Sequence, residues 1–209
     1  MKRGQVTARG DRVRARAIEA GERLFAERGL YGASVRDLAT ALAMPAASLL
    51  HHFPRKEALY RAVLELIAAD LDRVVARALA RAGDHPARLR ALVRAFAAWA
   101  QRHPRRSNLL LRELIDNPAR IGAAEVLPLQ PVVARMSEFL RDGARAGCFR
   151  RVDPVLFIVH LAGSISYFVA ARPTFARMIE RRDPAAFTRA YVADLALLAD
   201  RALLKRPTA

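Results

Sequence analysis

The stretch "SVRDLATALAMPAASLLHHFP", residues 34 to 54, constrains the fold of this chain more than any other. Ser34 is a good N-cap with Asp37 in the first turn behind it, and Val35, Leu38, Ala39 and Leu42 follow at i, i+3, i+4 and i+7. Pro45 cannot continue such a helix. Its fixed φ instead suits the first turn of another, which "AASLLHH" extends until Phe53-Pro54 stops it. So short a helix does not hold itself together, because nucleation costs more than a few turns return. Leu49 and Phe53, one turn apart, must anchor it on neighbouring helices. Two short helices joined by a tight break, with small Ala39 where they cross, predict helix-turn-helix geometry.

The neighbours follow from the flanking patterns. A basic arm, residues 1–10, leads into a helix whose Ile18 and Phe25 share a face and which Gly29 ends. After the pair, "RKEALYRAVLELIAADLDRVVARALARAG" predicts a long helix with Leu59, Val63, Leu66 and Leu71 near one side and Gly83 as its stop. Three further helices are predicted: one from His85-Pro86 through Trp99, one in "RRSNLLLRELIDNP", and one after Pro128 and Pro131 that Gly147 ends. Asp153-Pro154 and Asp183-Pro184 each set a capping carboxylate before a proline at the first helical position, so each starts a helix sharply. In the first, Ile158, Leu161, Ile165 and Phe168 recur at seam spacing, as do Tyr191, Leu195, Leu198 and Ala202 in the second. These eight residues are the predicted dimer interface, a four-helix bundle closed by two copies of the chain.

The expected fold is thus all-α. It comprises a flexible basic arm (1–10), a helix-turn-helix head (11–60) and a larger helical domain (61–209) that carries the predicted dimer seam. The apolar run "PVLFIVHLAGSISYFVAA" is short for a membrane span and interrupted by His160, Ser164 and Ser166, so it is read as a buried helix, and no membrane partner is expected. Cys148 is alone, which forbids an intrachain disulfide, and the charged N-terminus lacks the apolar core of a secretory signal; a cytoplasmic protein is expected. The net charge of +16 favours an anionic partner. Residues 1 to 60 carry only +5 of it, however, so charge alone does not locate a nucleic-acid face.

Within Arg16 to Leu66, "LFAERG", "SVRDLA" and "HHFPRKEAL" together resemble the N-terminal DNA-binding domain of the TetR (tetracycline repressor) family. The resemblance implies a repressor whose two heads read double-stranded DNA at a palindromic operator and are released by a small molecule. It makes the second short helix the reading helix, with Ser48, His51 and His52 as hydrogen-bonding groups and Ala46, Ala47 and Leu50 offering apolar contact to thymine methyls. Lys56 matches the family's phosphate-contacting lysine, and Arg12, Arg14, Ser34 and Arg36 are further DNA-contact candidates. Three positions depart from the family pattern. Ala43 stands where glycine is common, in a turn that tends to need a left-handed backbone, at a cost of roughly 1 kcal/mol for alanine. Ala46 and Leu50 stand where lysine and tyrosine often bond phosphates.

For the effector, Phe96, Trp99, His103, Leu110, Leu114, Phe139, Phe157, His160 and Tyr167 are the predicted cavity wall, apolar with few polar atoms, and thus suited to a small hydrophobic molecule. No cofactor or metal is expected, since His51-His52 has no Cys, Asp or Glu beside it at ligand spacing. Two other classes compete: an all-α enzyme with incidental positive charge, and an architectural DNA binder without an effector. Against the enzyme, no Gly-rich phosphate loop or nucleophile-base set stands out.

Overall fold

The computed structural model describes residues 2–116, 128–178 and 183–205, the side chains of residues 2–9 and 116 excepted. The helices in these residues are α1 (Lys2–Gly32), α2 (Val35–Ala41), α3 (Ala46–His52), α4 (Lys56–Leu79), α5 (His85–Arg102), α6 (Pro104–Asp116), α7 (Gln130–Arg145), α8 (Pro154–Met178) and α9 (Pro184–Leu203). Among the described residues there is no strand, only an isolated bridge between Phe149 and Leu204, so the all-α expectation holds. The expected arm differs: its backbone is helical from Lys2, while the side chains of residues 1–9 lie outside the described residues. Gly29, expected to end the helix, kinks it instead, with φ 71° and ψ 177°, and α1 runs on to Gly32.

Two compact units divide the chain. The first holds the residues up to Ile67 together with α6 from Asn108; the second holds Ala68–Ser107 and the remainder. The division therefore runs through α4 after Ile67, and α6 contributes to both units, whereas the sequence pattern placed the boundary between head and larger domain at residue 60.

In the first unit Phe25, Leu38, Leu49, Phe53, Leu59, Tyr60, Val63 and Ile67 are buried. The Phe25 ring meets Tyr60 edge-on at 5.0 Å. Gly21 lets α1 and α4 approach closely, since a Cβ there would lie 3.2 Å from Val63. The Tyr60 hydroxyl donates to buried Glu113 of α6 at 2.6 Å, which fixes α6 to α4 across this core. Leu59, Val63 and Leu71 are buried as the spacing predicted, but Leu66 is 40% exposed and its neighbour Ile67 is buried instead.

In the second unit, Asp84, Asp153 and Asp183 cap α5, α8 and α9 with their carboxylates, each with a proline in the first turn. Around a core that includes Leu89, Val93, Trp99, Met136, Ile158, Leu161 and Ile165, Asp70 of α4 gathers three donors. The Trp99 indole (2.9 Å), Arg106 (2.9 Å) and Arg73 (3.2 Å) all reach it, so one carboxylate ties α4, α5 and the start of α6 together. Burial pushes the Asp70 pKa up, but the indole bond and the two arginine charges outweigh it and hold the group below its usual 3.8. Phe149 closes the other end. It is buried against Phe139 (5.6 Å between ring centroids) and His85 (5.8 Å), and it packs so tightly on Gly143 that a Cβ there would lie 2.1 Å from its ring. Next to it, Arg150 donates to the carbonyls of Arg201 and Leu204 and so caps the end of α9.

The helix α8 is not the buried helix expected. Its 25 residues are long and apolar enough to cross a membrane by length and composition, with Pro173 inside. Ile158, Leu161, Ile165 and Phe168 face inward, while Val155 (50% exposed), Leu156, Val159 and Tyr167 face outward.

Candidate nucleic-acid interface

Ser34 sets the start of α2. Its Oγ accepts from the Asp37 backbone N–H at 3.1 Å, and the Asp37 carboxylate takes both the Ser34 backbone N–H (3.0 Å) and hydroxyl (2.7 Å). Those bonds, the hydroxyl's first, lower the Asp37 pKa below its usual value. Since the hydroxyl and the backbone N–H of Ser34 both serve this capping box, Ser34 acts first as a helix start rather than as a free donor to DNA.

The turn after α2 closes on a left-handed residue. Ala43 has φ 51°, its N–H donates to Thr40 O (3.0 Å), and the Met44 N–H donates to Ala39 O (3.1 Å). This is the paired closure of a Schellman motif, the geometry in which glycine is usual. An alanine adopts it here, as the departure at this position anticipated.

Pro45 then launches α3. Leu49 and Phe53 are each 2% exposed, whereas Ala46, Ala47, Ser48, Leu50 and His51 face solvent and His52 is half-buried. Burying a leucine and a phenylalanine contributes about 3–6 kcal/mol, enough to hold a two-turn helix that would not persist alone. All six predicted reading residues thus lie on one short helix with its two anchors turned inward.

The cations near α3 have intramolecular partners. Arg14 donates to His52 O (3.3 Å) with its guanidinium 4.4 Å above the Phe53 ring, which holds the C-terminal end of α3. The Lys56 ammonium donates to Leu30 O (3.0 Å) and Ala33 O (3.2 Å), tying the start of α4 to the end of α1. Two of its three N–H groups are used, so the lysine expected to be a plain phosphate anchor is first a clamp of the head. Arg36 and Arg12 are exposed on α2 and α1. Nothing in the sequence pattern pointed to these three carbonyl partners, which lie 38, 26 and 23 residues away from the side chains that reach them.

The other two predicted sets change more. Of the cavity residues, Phe96, Trp99 and His103 form a row with ring centroids 6.3 and 6.0 Å apart, but Phe139 belongs to the Phe149–His85 cluster instead. Phe157 is half-buried, and His160, Tyr167 (62%) and Leu114 (48%) are exposed, so these three wall no internal cavity. Leu110 and Leu114 belong to the first unit and the others to the second. The predicted seam is corrected too. Ile158, Leu161, Ile165 and Phe168 of α8 and Leu195 of α9 are buried within this chain; α8 is apolar all round, and the chosen spacing picked its core face. Phe168 stacks on half-buried Tyr191 at 3.7 Å. Burial, and the Asp194 charge after it, push the Tyr191 pKa to about 12. Only Leu198 and Ala202 of that set face outward; the outward apolar face that the seam spacing missed is Val155, Leu156, Val159 and Leu197. Among the described residues no three His, Cys, Asp or Glu side chains are grouped to hold a metal.

A short helix turned outward on a capped partner, within a larger helical body, defines a helix-turn-helix regulator. The model of the tetR family of bacterial regulatory proteins matches residues 17–63, and that of the tetracyclin repressor-like C-terminal domain matches residues 86–196. The chain belongs to this family. It is 37% identical over 76 residues to the HTH-type transcriptional repressor DhaR of Mycobacterium sp. (strain GP1), a stretch that spans 36% of this chain and only 38% of that relative. A tetR family transcription regulator from Shewanella sp. PV-4 has the same fold, with a TM-score of 0.73 and 17% identity over 93% of this chain and 99% of that one. So has AibR, solved with isovaleryl coenzyme A and operator DNA, with a TM-score of 0.66 and 19% identity over 89% of this chain and 97% of the other.

Proposed function

We propose that this chain is a cytoplasmic transcriptional repressor that binds a palindromic operator as a homodimer and releases it when a small, mainly hydrophobic molecule binds the second unit. The observation that carries the reading is the exposed face of α3, from Ala46 to His52, held outward by buried Leu49 and Phe53. A helix so presented fits the major groove, and two of them on a two-fold axis fit successive grooves about 34–36 Å apart. The dimer rests on the outward apolar face of α8 and α9, where Val155, Leu156, Val159, Leu197 and Leu198 stand in water unless a second copy covers them. The Glu113–Tyr60 bond offers a path from effector to head, because any shift of α6 pulls on α4. An effector acts only through unequal affinity for the two head arrangements, and tenfold release of DNA needs about 1.4 kcal/mol of such coupling. AibR has been captured with an acyl thioester of coenzyme A, and an apolar acyl group is accordingly the first effector chemistry to screen here.

Selection of the full-length protein against random duplex DNA tests the reading. The expected product is one two-fold symmetric motif with half-sites one helical turn apart. Binding with no enriched motif would return the chain to the architectural class.

A further inference from the structure

The exposed surface of α3 is divided lengthwise. At 3.6 residues per turn, Ala47 and Leu50 share one side with Ala46 beside them, while Ser48, His51 and His52 share the other. Leu50 is 38% exposed although it stands next to Leu49, which is 2% exposed and already does the anchoring. No arginine or lysine lies on the helix, and Arg14 and Lys56, which reach toward it, are bonded to carbonyls of the head itself. The helix α3 itself therefore lacks the guanidinium or ammonium donor that most often selects guanine through O6 and N7. What it has instead is an aliphatic strip, and in unmodified DNA the one apolar group on a base edge in the major groove is the C5-methyl of thymine.

We propose that the strip formed by Ala47 and Leu50 reads a thymine methyl group, with Leu50 the specificity-determining side chain. The proposal rests on the reading of α3 as the DNA-contacting helix and adds which base it selects and through which atom. The polar strip lies on the opposite side of the same helix, so the hydroxyl of Ser48 and the rings of His51 and His52 meet neighbouring base edges or phosphates while the methyl is held against Leu50. Burial of one methyl group corresponds to about a fourfold gain in affinity, and a symmetric site with one such contact in each half gains about fifteenfold.

The test uses the full-length protein on its selected operator, with each thymine replaced in turn by deoxyuridine. That exchange removes the methyl and keeps O4 and the base pairing. The expected result is a loss of about fourfold at one or two positions in each half-site and none elsewhere. At such a position cytosine in place of thymine should weaken binding further, and 5-methylcytosine should recover part of the loss, because it restores the methyl alone. Leu50→Ala should bind the thymine site as weakly as wild type binds the deoxyuridine site and should no longer distinguish the two; a matching melting curve checks its folding. Leu50→Met, which keeps an aliphatic side chain, should retain the discrimination. A tight, selected operator indifferent to deoxyuridine at every position would overturn the proposal and leave DNA reading by α3 intact. A deoxyuridine penalty that persists in Leu50→Ala would take the role from Leu50. Failure to select any operator would instead overturn the DNA-binding reading beneath it.

Discussion

Replacing Ala43 by glycine should make the protein more stable, although it deletes a methyl group and adds a flexible residue. Ala43 sits at φ 51° with its N–H and that of Met44 bonded back into α2. Holding an L-residue with a Cβ in the left-handed region costs roughly 1–2 kcal/mol, which glycine avoids. Glycine returns about 0.5–1 kcal/mol of this through the extra freedom of the unfolded chain. The Cβ of an exposed alanine contributes little packing to offset the relief, so the net gain is about 0.5–1 kcal/mol, or a rise of about 1–4 °C in melting temperature for a chain of this size. Urea and thermal melts of the full chain measure it. Native-state exchange of the Met44 amide locates it, since that amide closes the turn. Ala43→Val, β-branched and worse in the same backbone, should move stability the other way by a similar amount or more. If glycine lowers the melting temperature while valine leaves it unchanged, the residue is not left-handed and the description of the turn is wrong.

Four other outcomes are expected. Lys56→Met should destabilise the head by about 2 kcal/mol, because two carbonyls lose a charged donor, and an unmoved urea midpoint would show the clamp to be idle. Gly143→Ala should cost about 1–3 kcal/mol by driving a Cβ into the Phe149 ring, and less in a Phe149→Leu background; additive losses in the double variant would refute that contact. Asp70 has a folded pKa below its unfolded one, so its contribution is complete above about pH 5 and is lost as pH falls through 3.8 toward the folded value. Unfolding followed by fluorescence of Trp99, the only tryptophan, should therefore show an acid limb that Asp70→Asn reduces, and an unchanged limb would assign it elsewhere. Val159→Glu, on the outward face of α8, should sediment as a folded monomer, whereas Ile165→Asp should unfold the chain; a Val159→Glu dimer would move the interface off this face.

What could be read from the sequence was local. The Ser34–Asp37 capping box, the Gly29 kink, the strained Ala43 and the Asp-Pro helix starts at 153 and 183 each depend on residues a few positions apart, and each stands where the pattern put it. Leu49 and Phe53 were recognisable as anchors because a helix too short to persist must have them. What depended on distant parts of the chain was hidden. Nothing near Lys56 names Leu30 and Ala33 as its acceptors, and nothing near Tyr60 names Glu113. In α8 the periodicity misled. A helix apolar on every side satisfies the same spacing on its core face and on its outer face, so Ile158, Leu161 and Ile165 were as eligible for the interface as Val155 and Val159. The cavity set failed for a related reason: aromatic residues such as Phe139 and Phe96 are recognisable as apolar from the sequence, but which cluster each joins is a tertiary fact.

The most direct measurement is the ratio of affinities for the selected operator and for a scrambled duplex at physiological salt, taken for wild type and for Ala47→Asp. A helix-turn-helix reader should prefer its operator by at least about a thousandfold, and a carboxylate at the centre of the exposed face of α3 should abolish the preference while the protein melts as before. A wild-type ratio near one, or a ratio untouched by Ala47→Asp, would contradict the assignment of α3 as the surface that reads DNA.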